Sequence, residues 1–124
     1  MTTITERVAA GMAFLDEHDP EWWRPDVPNA IDVDKLLLSS GDLCVLGQRC
    51  PLDVLMASEW DSNYFAFAVF LSGIPASEEG EPEDRINDWA SALGFQWRRG
   101  DPPDGYELLT AHWRTVITGR RSAS

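Results

Sequence analysis

Apolar side chains along this chain recur mostly at intervals of three and four residues, the spacing of a helix with one buried face. The clearest stripe predicts a C-terminal helix and consists of Tyr106, Leu109, His112 or Trp113, Val116 and Ile117. We expect Gly119 to end that helix. A second stripe predicts a helix over 4–18, opened by a capping box formed by Thr3 and Glu6 and stopped by Pro20.

The middle of the chain predicts several shorter helices. Asp42 is placed to cap one helix, and Pro51 limits it and opens another over 52–57. Asp61 or Ser62 would cap 64–71, which is apolar in nearly all directions and is therefore expected to be the central buried helix, ending at Gly73.

Beyond that helix, Pro82 opens another one with the stripe Ile86, Trp89, Ala90 and Leu93, and Gly94 ends it. Three segments lack a helical period. Residues 19–30 and 75–84 read as loops, the second acidic and mobile. Residues 31–38 fit a short helix capped by Asp32 or a strand, and we favour a helical turn. Residues 95–97 alternate and predict a short strand.

These elements predict a mainly α fold: one compact domain of four or five helices over 1–121, with at most one short β element near 95–98. Residues 122–124 would form a disordered tail. A chain of 124 residues is long enough for one core, and six Trp and five Phe supply much of its volume.

The charge narrows the possible functions. The chain has 21 acidic and 10 basic side chains, a net charge of −11. Residues 1–97 hold 18 acids and five bases, a balance of −13, and residues 98–124 hold three acids and five bases, or +2. A negative field disfavours direct binding to nucleic acid or anionic membranes and favours a partner with a basic surface. We expect that partner to dock on the acidic face and not on the end that carries Arg98, Arg99, Arg120 and Arg121. The same charge also serves solubility.

Part of the sequence resembles a set of small uncharacterised proteins from actinobacteria and their phages. The matching positions are Arg7, Gly11, Leu15, Asp16, Ile31, Asp32, Leu36, Leu38, the string Cys44-Val45-Leu46-Gly47-Gln48, the string Leu93-Gly94-Phe95, Tyr106, Leu109, Thr110, Trp113 and Ile117. Residues 49–85 depart from the pattern, with Cys50 and Pro51 where an aromatic residue and a glycine are usual. The resemblance implies a source and a core and no mechanism.

Candidate catalytic groups are sparse. Five residues separate Cys44 from Cys50, which is a poor spacing for a zinc site even when His18 and His112 are counted as ligands. Nothing in the sequence lowers the pKa of either thiol. The acid pairs 16–17 and 78–79 lie in polar runs, without the apolar shielding of a catalytic carboxylate. Asp32 is already accounted for as a helix cap. We expect no enzyme activity, no metal and no cofactor. The alternative is a small thiol- or metal-dependent enzyme that uses Cys50 or a carboxylate pair.

The tryptophans suggest a binding surface. Trp22, Trp23 and Trp60 lie beside acids in expected loops, and an exposed Trp flanked by carboxylates, as Trp60 is by Glu59 and Asp61, could anchor a basic partner. The competing interpretation folds each of these indoles back onto the core.

We therefore expect a non-catalytic acidic binding protein, plausibly phage-derived, that attaches to a host protein. A DNA-mimic inhibitor is one form of that function. No apolar leader is visible and the run 64–71 is too short to span a membrane, so the expected place is the cytoplasm. There the protein would be a monomer or homodimer, and both cysteines would be free thiols.

Overall fold

Helices are the regular elements of the described chain. The computed structural model describes residues 3–58, 62–73, 82–97 and 101–123. The six helices are α1 (Ile4–His18), α2 (Val45–Arg49), α3 (Leu52–Ala57), α4 (Asn63–Ser72), α5 (Pro82–Ala92) and α6 (Gly105–Ala123). Helix α4 packs against α2, α3 and α5, and α1 packs against α5 and α6. The prediction of a mainly α, compact fold is confirmed, with six helices in place of four or five.

Local capping chemistry explains where α1 and α4 begin. The Thr3 hydroxyl accepts from the Glu6 amide at 3.1 Å, and Glu6 reaches back to the Thr3 amide, which confirms the predicted capping box of α1. The Ser62 hydroxyl caps α4, and Gly73 ends it in the left-handed conformation with φ of 70°. The predicted helix starts at 52 and at Pro82 are also confirmed.

The start of α2 corrects the sequence prediction. Its cap is Cys44, whose Sγ accepts from the Gly47 amide at 3.3 Å, and Asp42 lies in the turn before it. The Cys44 amide closes that turn by donating to the Ser40 carbonyl at 3.0 Å, but the backbone of Cys44 itself is extended, with ψ of 176°, so the helix begins only after it. A thiol acceptor is not a usual cap, and the sequence pattern therefore favoured the carboxylate.

Residues 31–38 contain the short turn that we favoured, and they form neither a full helix nor a strand. The Asp32 carboxylate accepts from the Asp34 amide at 3.0 Å, and the Lys35 and Leu36 amides donate to the Asp32 and Val33 carbonyls at 3.1 and 3.4 Å, which closes a turn that does not lengthen into a helix. Ile31, Leu36 and Leu38 are buried. These three residues are buried because they contact the core, and their spacing follows neither a helical nor a strand period.

The predicted strand over 95–97 is also wrong. Gly94 has φ of 74°, and the Phe95 amide donates back to the Ala90 carbonyl at 2.9 Å, so the chain closes α5 and turns. Phe95 is 1% exposed and points into the core. Of the acidic loop predicted over 75–84, residues 75–81 lie outside the described residues and 82–84 belong to α5.

Two further expectations about helices are corrected. Helix α6 continues through Gly119 to Ala123, because nothing forces Gly119 into a left-handed cap; residues 122 and 123 are therefore helical, and Ser124 lies outside the described residues. Helix α4 is not buried on all sides, since Phe70 is 64% exposed. Tyr64 and Phe67 are the large side chains that it buries.

Aromatic side chains form the centre of the core. Trp113 of α6 has no exposed surface, stacks on Phe95 with ring centroids 5.3 Å apart and meets Trp22 edge-on at 5.6 Å. Its indole nitrogen donates to the Gly94 carbonyl at 2.7 Å. Helix α6 is thereby joined to both the end of α5 and the segment after α1.

A buried arginine joins α1 to the end of α5. Arg7 is 1% exposed, and its guanidinium donates to the carbonyls of Ser91 and Gln96 at 2.7 and 2.8 Å and to the Asp101 carboxylate at 2.7 Å. The apolar stripe of α1 gave no indication that this charged position is buried.

Truncating Trp113 tests the core. Trp113→Ala should lower the free energy of unfolding by roughly 3–5 kcal/mol, because it empties a fully buried aromatic site. Trp23→Ala, at a half-buried ring, is the control and should cost much less. The measurement is urea unfolding followed by circular dichroism, and equal losses for the two variants would contradict the core assignment.

Removing the Arg7 guanidinium tests the buried ion pair. Arg7→Met should destabilise the fold by roughly 3–5 kcal/mol, because it removes a buried ion pair with Asp101 and two hydrogen bonds to main-chain carbonyls. The matched change is Arg120→Met, which breaks a pair with Asp16 whose side chains are 30% and 42% exposed and should cost about 1 kcal/mol or less. Midpoints of thermal unfolding that move equally would show that burial does not distinguish the pairs.

Candidate functional site

A groove of about 550 Å³ lies between residues 36–39 and the first half of α6. Leu36, Leu37 and Ala111 supply apolar lining, and Asp104, Glu107 and Arg114 are its charged lining residues. A volume of several hundred cubic ångströms, an apolar lining and a few polar groups are the usual attributes of a binding site.

The spacing of residues on α6 builds one wall of the groove. Glu107, Ala111 and Arg114 are separated by four and three residues, so they lie on one face of the helix. That face is distinct from the stripe of Leu109, Trp113 and Ile117, which is buried in the core. The same helix therefore anchors the fold with one face and lines the groove with another.

The opposite wall is fixed to the same helix by hydrogen bonds. The Leu38 amide donates to the Thr110 hydroxyl at 3.0 Å, although the two residues are 72 positions apart. The Arg114 guanidinium donates to the carbonyls of Val33 at 2.8 Å and Leu36 at 3.2 Å. Both walls are thus held at a set separation, and the groove is part of the packed structure.

Charge is unevenly distributed along the groove. Asp104 and Glu107 stand at the N-terminal end of α6, and within the described residues neither carboxylate has an ion pair or hydrogen bond. Arg114 lies seven residues after Glu107, roughly 10 Å along a helix that rises 1.5 Å per residue. The groove therefore has two free negative charges at one end and a positive charge at the other.

Two further polar groups face the space between these ends. Ser39 lines the groove, is exposed, and in the described chain has no hydrogen-bond partner for its amide or its hydroxyl. Thr110 is 7% exposed and accepts from the Leu38 amide, and no acceptor among the described residues takes its hydroxyl hydrogen. The groove thus offers donors to a ligand with free carbonyl groups.

A polar network behind the groove holds the ring of Tyr106, which is part of the lining. The Tyr106 hydroxyl donates to Gln96 Oε1 at 2.6 Å; Gln96 Nε2 and the Tyr64 hydroxyl both donate to Asn87 Oδ1, at 3.3 and 3.0 Å. Burial raises the pKa of Tyr106, so its hydroxyl stays protonated and keeps donating.

The structure does not gather the predicted tryptophan anchors at this groove. Trp22 has no exposed surface, and its indole donates to the Asp16 carboxylate at 3.0 Å, so its prediction as a partner-binding residue is wrong in this fold. Trp23 is half-buried under the Arg24 guanidinium, 5.7 Å from its ring centroid. The other three predicted residues, Glu59, Trp60 and Asp61, lie outside the described residues.

Three exposed apolar side chains stand on the helices that flank 59–61. Leu52 and Met56 of α3 are 70% and 76% exposed, and Phe70 of α4 is 64% exposed. None of the residues of α3 is buried. This apolar surface is separate from the residues that line the groove.

Neither cysteine is an activated nucleophile. Both are free thiols and both are buried. Burial raises the pKa of Cys44 to about 11, and burial followed by the charge of Asp53 raises the pKa of Cys50. Over the described residues there is also no group of three His, Cys, Asp or Glu side chains that could hold a metal ion. Both pKa shifts disfavour the thiolate that a thiol-dependent enzyme would use.

The sequence prediction missed Asp104, Glu107 and Arg114. Asp104 precedes the apolar stripe that predicts the C-terminal helix, and the other two lie off that stripe. The signal that could have found them is the alternation of charged and small residues at 107, 111 and 114 on the second face of the helix.

Comparison with known proteins yields no match to a family model, to a curated protein or to a solved structure. No helix in the described parts of the chain is long and apolar enough to cross a membrane.

The Cys44 pKa gives a testable pH dependence. Between the usual value of 9.0 and about 11 the unfolded chain loses this proton while the folded chain keeps it, so stability is complete below pH 9 and falls as pH rises to about 11. A shift of this size corresponds to roughly 3 kcal/mol.

Cys44→Ser keeps an acceptor for the Gly47 amide and removes the titrating thiol. The difference in unfolding free energy between wild type and Cys44→Ser, measured in urea from pH 8 to 11 with reductant present, should change by about that amount. Parallel curves for the two proteins would show that the thiol is not held protonated by the fold.

Proposed function

We propose that this chain is a non-catalytic acidic binding protein that attaches through the groove on α6 to a basic segment of another protein. The observation that carries the proposal is the pair of unpartnered carboxylates, Asp104 and Glu107, beside apolar lining. At this place a cationic side chain of a ligand would face the carboxylates, and an apolar side chain beside it would contact the apolar lining.

The hydrogen bonds made by the basic side chains also favour a basic partner. Among the described residues, internal hydrogen bonds are donated by Arg7, Arg49, Arg114, Arg120 and Arg121. Three of these arginines pair with acidic side chains, which are Asp101, Asp19 and Asp16. Asp104 and Glu107 have no arginine partner in the described structure, and a surface of that sign accelerates the approach of a basic partner.

The resemblance to small proteins of actinobacteria and their phages suggests where such a partner belongs. On that basis we propose a phage-derived protein that acts as a monomer or homodimer in the cytoplasm of an actinobacterial host and binds a host protein. DNA mimicry is one form of this function, and competition between duplex DNA and the protein for the captured partner would identify it.

Affinity capture with matched variants tests the proposal. Wild type, Asp104→Asn/Glu107→Gln and Glu17→Gln/Glu21→Gln would be immobilised and exposed to an actinobacterial lysate. The two double variants lose the same charge, but Glu17 and Glu21 are exposed and outside the groove. A host protein retained by wild type and the second variant should bind the groove variant roughly two- to thirtyfold less tightly, since each exposed charge contact contributes about 0.2–1 kcal/mol.

The purified partner should also associate more slowly as salt rises from ~50 to ~500 mM, because the Debye length shrinks to a few Å. Equal losses in both double variants would assign the effect to net charge, and no loss in either would reject the groove as the docking site.

A further inference from the structure

The two ends of the groove carry opposite charges, so a ligand can lie in it in one preferred direction. Its carboxylates, Asp104 and Glu107, occupy one end, and the guanidinium of Arg114 occupies the other, two turns along α6. Arg114 donates Nε–H to the Val33 carbonyl and one Nη2–H to the Leu36 carbonyl. A guanidinium has five N–H groups, so three remain available to a ligand.

The distance between the two ends selects the conformation of a peptide ligand. Glu107 and Arg114 are about 10 Å apart along the helix axis. An extended chain covers that distance in three residues, at about 3.3 Å per residue, whereas a helix places residues three apart only about 4.5 Å along its axis. A ligand that reaches both charged ends with two nearby side chains must therefore be extended.

The lining between the ends indicates what lies between the two charges of the ligand. Leu36 is buried, Leu37 is 46% exposed, and Ala111 separates the charged residues of α6, so intervening apolar side chains would cover apolar surface. The Ser39 amide and the Thr110 hydroxyl are donors without an acceptor in the described chain, and peptide carbonyls are acceptors. A phosphate-bearing ligand, by contrast, would meet the free carboxylates.

We infer that the groove binds an extended peptide segment in which a basic residue and an acidic residue stand three positions apart with apolar residues between them. The basic side chain lies at Asp104 and Glu107, the acidic one accepts from Arg114, and the main chain between them accepts from Ser39 or Thr110. This inference rests on the proposed function, which requires only a basic partner, and adds the spacing, order of charge and conformation of the bound segment.

Four-residue peptides of matched composition test the spacing. The probe is acetyl-Arg-Leu-Ala-Glu-amide, with its charges three apart, and the control is acetyl-Leu-Ala-Arg-Glu-amide, with its charges adjacent. Each would be titrated into the uniformly ¹⁵N-labelled full chain, with amide shifts recorded. We expect saturable shifts at Ser39, Thr110 and Ala111 with the probe, and binding about three- to fivefold weaker with the control, which reaches only one charged end.

Two further comparisons separate the ends of the groove. Acetyl-Arg-Leu-Ala-Gln-amide removes the acid that faces Arg114 and should bind about two- to fivefold more weakly; altering this ligand leaves the Arg114 bonds to Val33 and Leu36 intact. Asp104→Asn/Glu107→Gln should weaken the probe by roughly two- to thirtyfold, and Glu17→Gln/Glu21→Gln should not.

Any of three results would overturn the inference: equal affinity of the probe and the control peptide, amide shifts centred outside the groove, or no saturable shift at ~10 mM peptide. The proposed function fails separately. If lysate capture depends on Asp104 and Glu107 but the peptides do not bind, the partner is recognised by charge without this spacing. If capture is indifferent to those residues while the spaced peptide binds, the proposed attachment is wrong and the peptide site stands.

Discussion

Guanidinium groups that donate to main-chain carbonyls hold this molecule together. Residues 19–44 connect α1 and α2 without a helix, so many of their carbonyls have no partner in regular structure. Three arginines donate to carbonyls of this connection: Arg49 to Pro28 and Asn29, Arg114 to Val33 and Leu36, and Arg121 to Trp23 and Ile31. A fourth, Arg7, donates to the carbonyls of Ser91 and Gln96 at the end of α5. A lysine offers one point charge on a flexible stem, whereas the planar fork of arginine reaches two fixed acceptors.

The same constraint creates the candidate groove and its charge. Arg114 and Thr110 fix residues 33–38 against α6, so the wall of the groove and the support of an irregular segment are one set of bonds. The net charge of −11 makes the exterior acidic, and the pair at 104 and 107, which has no arginine partner among the described residues, lies where an apolar lining is also available.

Helix ends that are determined by neighbouring residues could be predicted from the sequence. Features that are determined by contacts between distant residues could not. The capping box at Thr3, the Ser62 cap and the left-handed Gly73 are settled by neighbouring residues. The burial of Arg7 depends on Asp101, 94 positions away, and no helical period reveals it. The groove is unpredictable for the same reason, since 36–39 and 104–114 meet only in the folded chain. Trp22 misled because the adjacent Glu21 suggested an exposed anchor, whereas the indole is buried and donates to Asp16, six positions earlier in the chain.

The residues that fix the packing are separate from those that give the groove its charge. A Cβ at Gly11 would collide with the Leu93 carbonyl oxygen, and the Gln48 side chain exchanges hydrogen bonds with the main chain of Asp32. Asp104, Glu107 and Arg114 are exposed, and the last two lie on a different face of α6 from the buried stripe of Leu109, Trp113 and Ile117. Charges on such a face set specificity at little cost to the core, so substitutions there would change the partner without repacking the fold.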